Sequence, residues 1–338
     1  MNDVFILGAG FSKAIHSGMP TLADLTDEVA RRLRGSECSL PQPLMDLENN
    51  IELWTTYLSQ RQPWLTEYEN DSNKSLAGLI RHQIGAVIEE HTARASQTEA
   101  PRWLNRLIGS WHREQATVIT LLNYDTLVER ASKQVQAAEK VNGILAGQMY
   151  PPYFSDVQAR SGVGLLGEGF LKTFSFLKLH GSINWYYSGR DNFFGETILF
   201  SEDLPFGHET WNDVHFRRPQ SRDKELLIIP PATEKNTYFN NETVRRLWRE
   251  AGRALQEAGR VFIIGYSLPL SDLGMKFFLT KHRPSQETPV FLANTDRKIV
   301  THYQNLMTWD VRDEFVDDQE PIKRFADIYP KIDSTYRC

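Results

Sequence analysis

The chain has 338 residues, 41% apolar and 24% charged, with a net charge of −5. Such a balance describes one large folded domain rather than a disordered chain, and no stretch nears the roughly 20 consecutive apolar residues of a membrane span. The acidic sum argues against a chain-wide grip on nucleic acid, and two cysteines, Cys38 and Cys338, exclude a disulfide framework and a four-cysteine zinc site.

The first apolar run, Val4 to Leu7, has the character of a buried parallel strand and starts without a basic leader, so a cytoplasmic chain is expected. Gly8-Ala9-Gly10 follows it. Helices are expected over Leu22 to Leu33 and Leu44 to Leu58, then a polar loop from Gln60 to Lys74. Leu76, Leu79, Ile80, Ile84, Val87 and Ile88 recur at three-to-four spacing, which makes an amphipathic helix, and Trp103 to His112 makes another. Residues 35–115 therefore read as a largely helical insertion. Val118 to Leu122 is the second strand, ending in Asn123-Tyr124-Asp125 before a helix from Asp125 to Ala138. Phe174 to Leu179 is a third, ending in His180-Gly181-Ser182.

Asn184 to Tyr187, a polar turn at Ser188 to Asn192 and Phe193-Phe194 read as a hairpin whose aromatic face serves core packing. Asp203 to Arg222 reads as a loop, and Leu226 to Ile229 as a strand before Pro230-Pro231. The helix from Glu242 to Ala258 carries Arg245, Arg246, Arg249 and Arg253 at helical spacing, a solvated face rather than a nucleic-acid surface. Strands at Val261 to Ile264 and Val290 to Leu292 end in Gly265-Tyr266-Ser267 and Asn294-Thr295-Asp296, with a helix from Leu273 to Lys281 between them.

Each apolar run thus ends in Gly, Pro, Ser, Asn, Asp or His. In an open parallel sheet these carboxyl ends share one edge, and ligands bind in the crevice outside it. Strand ends also need turns and caps, so Asn123 or Asp125 taken singly is equally a cap for the helix that follows. Six such segments together favour a site. Strand, Gly-Ala-Gly and helix is the geometry in which backbone amides accept a pyrophosphate, but a dehydrogenase fingerprint needs a third Gly where Lys13 stands and an acid about 20 residues on, after a second strand. The reading is an α/β, Rossmann-like parallel sheet over 1–338, interrupted by the helical insertion.

The motifs resemble those of the sirtuins. Gly8-Ala9-Gly10-Phe11-Ser12 with Gly18-Met19-Pro20 is similar to the family's Gly-Ala-Gly-x-Ser and Gly-Ile-Pro. Leu122-Asn123-Tyr124-Asp125 resembles its Gln-Asn-x-Asp, Leu179-His180-Gly181 its Leu-His-Gly, Gly265-Tyr266-Ser267 its Gly-Thr-Ser, and Ala293-Asn294 its Ile-Asn. Asn-Tyr-Asp, Gly-Tyr-Ser-Leu-Pro and the insertion look like the sirtuin-like NADase branch of bacterial anti-phage defence. Protein-deacylating sirtuins hold a zinc module with four cysteines; here 183–222 stands in its place, and no cysteine lies between 38 and 338. Leu22 and Ala23 occupy the Phe and Arg positions after Gly-Ile-Pro, which departs from the family's nicotinamide loop.

The resemblance implies NAD⁺ as substrate, no metal, and an NAD⁺ glycohydrolase that depletes NAD⁺ in defence. It implies Asn123 and His180 as catalytic, with Gly8, Ala9, Gly10, Phe11, Ser12, Thr21, Asp125, Gly265, Ser267 and Asn294 holding the dinucleotide. Asp272 and Asp296 are weaker candidates that equally cap local structure. An uncharged Asn bonds ribose hydroxyls or a water without a proton change, and His titrates near neutrality as a general base needs to. Constant NADase activity would poison the host, so restraint is expected from a closed site, a homo-oligomer, or a HerA-like ATPase or short Argonaute partner. The alternatives are an NAD⁺-dependent deacylase, an ADP-ribosyl transferase, and a non-catalytic NAD⁺- or ADP-ribose-binding module.

Overall fold

The computed structural model describes residues 2–35, 44, 50–135, 143–152, 154–156, 172–187, 198–207, 225–229, 241–269, 272–307, 310–317 and 319–332. Its centre is a six-stranded parallel sheet. The strands are β1 (Asn2–Leu7), β2 (Thr117–Thr120), β4 (Ser175–Lys178), β8 (Ala258–Ile264), β9 (Val290–Asn294) and β10 (Val311–Val316), in the order β10-β9-β8-β1-β2-β4. A second sheet in the order β3-β6-β5-β7 contains β3 (Ser155–Asp156), β5 (Gly181–Tyr187), β6 (Leu199–Phe200) and β7 (Glu225–Ile228). The inner strands of the main sheet are apolar on both faces because helices cover both. Val4, Phe5, Ile6 and Leu7 are all fully buried.

Two expectations change here. Leu226 to Ile229 does not join the parallel sheet: β7 pairs antiparallel with β5. Its place in the main sheet is taken by β10, whose Arg, Asp and Glu break the apolar run, as an edge strand allows. The Gln60 to Lys74 segment is only half loop, because a helix, α4 (Glu67–Ala95), already begins at Glu67. Its sequence is polar, but Thr66 and Glu69 form a reciprocal capping box, and Asn70 folds back to accept from the Gln62 amide at 2.8 Å.

Between β1 and β2 run α1 (Ala9–Ile15), α2 (Leu22–Gly35), α3 (Ile51–Ser59), α4 (Glu67–Ala95) and α5 (Arg102–Glu114). They serve two cores. Leu25, Val29 and Leu33 of α2 pack with Trp54 and Leu58 of α3 and with Ile80, Ile84 and Val87 of α4. By contrast, Leu104, Leu107, Ile108 and Trp111 of α5 join the sheet core, so α5 acts as the crossover that returns the chain to β2. Beyond β2 lie α6 (Leu127–Ser132), α7 (Ala146–Met149), α8 (Glu242–Gln256), α9 (Leu273–Lys281), α10 (Lys298–Met307) and α11 (Pro321–Ile332).

The aromatic face of β5 is core: Trp185 is fully buried, 4.6 Å from Phe154 and 5.2 Å from Tyr150. β5 pairs antiparallel with β6, while Ser188–Asn192, Phe193-Phe194, Ala138 and Pro230-Pro231 lie outside the described residues, as do Cys38, Cys338 and most of Asp203–Arg222. Arg245, Arg246 and Arg249 are exposed and gather on Glu242, as a solvated face does. Among the described residues no helix is long and apolar enough to cross a membrane.

Candidate functional site

Strand registry brings the candidate residues to one edge. Leu7 pairs with Thr120 and with Ile264, Thr120 with Lys178, and Ile264 with Ala293. Gly8, Asn123, His180 and Gly265 therefore follow the carboxyl ends of four strands of the main sheet, and Asn294 is the last residue of a fifth. β7 reaches the same place from the second sheet: the Ile229 amide donates to His180 O at 2.9 Å, and Tyr124 Oη donates to Ile229 O at 2.7 Å.

The glycines of the first loop have a packing reason. Gly8 sits at φ −108° and ψ 179°, extended backbone open to any residue. What forbids a side chain is proximity, because a Cβ there would meet Gly265 O and Tyr266 Cα at 2.5 Å. The amides of Gly8, Gly10 and Phe11 donate to Ile264 O, Gly265 O and Gly8 O at 2.9, 3.0 and 2.8 Å. These three donors, expected to face a pyrophosphate, are used within the protein. The Phe11 side chain is likewise in the core, edge-on to Trp103 at 5.8 Å, so it does not line a ligand site as expected.

Behind this loop lies a buried polar cluster. Asn123 Nδ2 donates to Gly8 O at 2.9 Å and to Ser12 Oγ at 2.8 Å, and Ser12 Oγ donates to Asp125 Oδ2 at 2.6 Å. Asp125 Oδ1 accepts from the Leu127 amide, so this residue is both a helix cap and part of the cluster. The amide of Asn123 is thus held from its nitrogen side, while Oδ1 has no hydrogen-bond partner among the described residues. An unpaired buried carbonyl is a place where a ligand or a water can complete the bonding. His180 is 1% exposed and lies edge-on to Trp248 at 5.9 Å.

A second polar network, not foreseen from the sequence, ties the two catalytic-candidate loops together. Lys178 Nζ donates to Asp125 O at 2.5 Å, Ser182 Oγ at 2.7 Å and Glu129 Oε1 at 2.9 Å. Tyr150 Oη also donates to Glu129, at 2.6 Å. Burial pushes the Glu129 carboxyl above the usual carboxylate range, against the pull of Lys178 and Tyr150. The signal in the sequence was a lone Lys at the end of an apolar strand, which periodicity alone reads as an exposed end. Leu122 and Leu268, beside the site loops, have positive φ of 60° and 50°, as do Gln115, the cap that ends α5, and Glu320.

In front of the sheet edge opens a cleft of about 1130 Å³. This is slightly above the roughly 300–1,000 Å³ range of small-molecule sites and suits an extended ligand. Ala9, Gly10, Thr21, Gly265, Ser267 and Asn294 line it; Gly8, Phe11, Ser12, Asn123, Asp125 and His180 do not. The cleft reaches Leu121 and Leu122, immediately before Asn123. It is also lined by Lys13, Arg102, Arg106 and Lys323, of which Lys13, Arg106 and Lys323 are ion-paired with Asp24, Asp327 and Glu320. Asp272 caps α9 by accepting from the Met275 amide, and Asp296 accepts from that of Lys298. Among the described residues no group of three His, Cys, Asp or Glu side chains is arranged to hold a metal ion.

No protein-family model matches the chain. No curated protein matches it either. Solved structures of similar chain course exist. One described as a Sir2 variant with deacetylated p53 peptide and 3′-O-acetyl ADP-ribose is 12% identical, covers 98% of this chain and 93% of its own, and has a TM-score of 0.43. A Sir2 complex with p53 peptide and NAD⁺ is 12% identical at 98% and 92% coverage, TM-score 0.42. A third, titled for the structural basis of sirtuin substrate affinity, is 14% identical at the same coverages and TM-score.

Proposed function

We propose that the protein is an NAD⁺ glycohydrolase that releases nicotinamide and ADP-ribose. The observation that carries the reading is the Asn123 side chain, clamped through Nδ2 to Gly8 O and Ser12 Oγ with its carbonyl oxygen unpartnered among the described residues, directly after Leu121 and Leu122, which line the large cleft. Nicotinamide leaves the anomeric carbon as a neutral base, so the reaction passes through an oxocarbenium-like state with water completing the bond. A fixed amide oxygen orients a ribose hydroxyl or that water at no cost in reorganisation. His180, two residues beyond a strand paired with β2, takes the proton as general base. Ala9, Gly10, Thr21, Gly265, Ser267 and Asn294 hold the dinucleotide along the cleft.

The burial of Asn123 and His180, 6% and 1% exposed, supports a restrained enzyme whose reacting centre opens on activation. A defence role, a homo-oligomer and an ATPase or Argonaute partner belong to the same proposal. The test is chromatography of NAD⁺ products, with and without candidate activators. Asn123→Ala and His180→Ala are expected to lower nicotinamide release by about 100-fold or more. Full activity in either variant would overturn the assignment of roles, and a strict need for an acylated peptide would replace hydrolysis by deacylation.

A further inference from the structure

β4 ends on a charged residue in a place where charge is costly. Lys178 follows Phe176 and Leu177 along the strand and is 1% exposed. Its ammonium has three donors, and all three are used: on Asp125 O at 2.5 Å, Ser182 Oγ at 2.7 Å and Glu129 Oε1 at 2.9 Å. Stability does not account for a lysine here, because apolar side chains of similar volume in place of a buried ion pair commonly leave a protein as stable or more so. What an ammonium does and a thioether does not is hold two loops at one point.

The acceptors flank the reacting centre. Asp125 lies two residues beyond Asn123, and Ser182 two residues beyond His180. Register sets Lys178 beside Thr120 at the end of β2. The backbone joins the same loops through the Leu179 amide on Thr120 O at 3.2 Å and the Ile183 amide on Tyr124 O at 2.9 Å, which fixes the spacing of the two chains. Lys178 adds a grip on Asp125, whose carboxylate accepts from Ser12 Oγ at 2.6 Å, and that hydroxyl in turn accepts from Asn123 Nδ2 at 2.8 Å. On the other side, Ser182 Oγ donates to Asn184 Oδ1 at 2.7 Å, and Asn184 Nδ2 to Ser201 O at 2.9 Å. Tyr150 Oη holds Glu129 at 2.6 Å, so the ammonium sits in a frame fixed from α6, the end of α7 and the second sheet. Lys178, Glu129 and Ser182 do not line the cleft.

Resting on the NAD⁺-cleaving reading above, we propose that Lys178 is a positioning residue: through Asp125 and Ser182 it fixes Asn123 and His180 relative to each other without touching the substrate. Steady-state nicotinamide release by the full chain, with the candidate activators, tests this in Lys178→Met, in Lys178→Met combined with Glu129→Gln, and in Ser182→Ala. Reacting groups misplaced by about 1 Å cost roughly 100-fold in rate, so kcat is expected to fall by about that factor in both Lys178 variants. Ser182→Ala, which removes one of the three acceptors, is expected to lower it about tenfold. KM for NAD⁺ stays within about twofold in all three, because the cleft lining is untouched. The double variant separates position from stability: freed of the stranded carboxylate it melts closer to the wild type than Lys178→Met does, yet its kcat stays low. Wild-type kcat in the double variant, a kcat that follows melting temperature across the three variants, or a KM that rises with kcat unchanged would overturn the inference and leave the NAD⁺ reading standing. No nicotinamide release by the wild type would remove both.

Discussion

Replacing Lys178 by Met strips the donor from three buried acceptors at once: Glu129 Oε1, Asp125 O and Ser182 Oγ. Both members of the ion pair are 1% exposed, so no water replaces the ammonium, and of its side-chain donors among the described residues Glu129 keeps the Tyr150 hydroxyl. Breaking a buried pair in this way costs about 3–5 kcal/mol. With an unfolding entropy near 2.1 cal/mol/K per residue, a chain of this length loses roughly 4–7 °C in melting temperature. Lys178→Met combined with Glu129→Gln removes the stranded charge and recovers about 2 kcal/mol of the loss.

The sign with pH is fixed by the same burial. Burial already pushes the Glu129 carboxyl up, and without Lys178 it rises further above its unfolded value. The folded state then holds the proton more tightly than the unfolded state, so stability is regained as pH falls and lost as it rises through the folded pKa. Urea titrations of the three proteins at about pH 5 and pH 8 measure this, with a smaller Lys178→Met deficit at the lower pH. A deficit below about 1 kcal/mol, or a double variant no more stable than the single one, would refute the claim that this pair is a buried structural charge.

Gly181 has φ +83°, and a Cβ there would stand 2.0 Å from Leu227 O on the paired strand. Gly181→Ala is therefore expected to cost about 3 kcal/mol and to detach β5 from β7 beside His180, seen as a lowered urea midpoint; an unchanged midpoint would mean the loop has another low-energy path. At the cleft mouth, Asp24 accepts from Lys13 at 2.8 Å and from both the amide and the hydroxyl of Thr21. The Lys13 hydrogen bond leads in lowering its carboxyl from 3.8 to about 2. Its contribution to stability is present above the unfolded value and lost as pH falls from there to about 2; half-exposed, it is worth less than about 1 kcal/mol. Wild type and Asp24→Asn should thus differ slightly at neutral pH and converge in acid, and a difference that grows in acid would contradict the assignment.

Five of the apolar runs became strands of one parallel sheet because continuous Val, Ile, Leu and Phe with a polar end suits only a strand covered on both faces. The sixth, Leu226 to Ile229, carries the same composition yet pairs antiparallel in the second sheet, since a four-residue run records burial but not its partner. β10 escaped notice for the converse reason: as an edge strand it tolerates Arg312, Asp313 and Glu314. The start of α4 at Glu67 was legible in its capping box, though polar composition spoke louder. At the site, the sequence order alone brought Gly8, Asn123, His180, Gly265 and Asn294 to one edge, since registry follows once the strands are parallel and adjacent.

Local chemistry therefore decided which residues end strands and which types stand there. Tertiary packing decided what each one faces. Gly8 meets the backbone of Gly265 and Tyr266, Phe11 turns into the core between Trp103 and Trp111, and Lys178 is buried on Glu129 across 49 residues of chain. Arg102, Arg106 and Lys323 meet on one side of the cleft only because α5 and α11 pack side by side. Strand ends are specified by neighbours in sequence, whereas charge balance and burial depend on neighbours in space, which a periodic pattern does not encode.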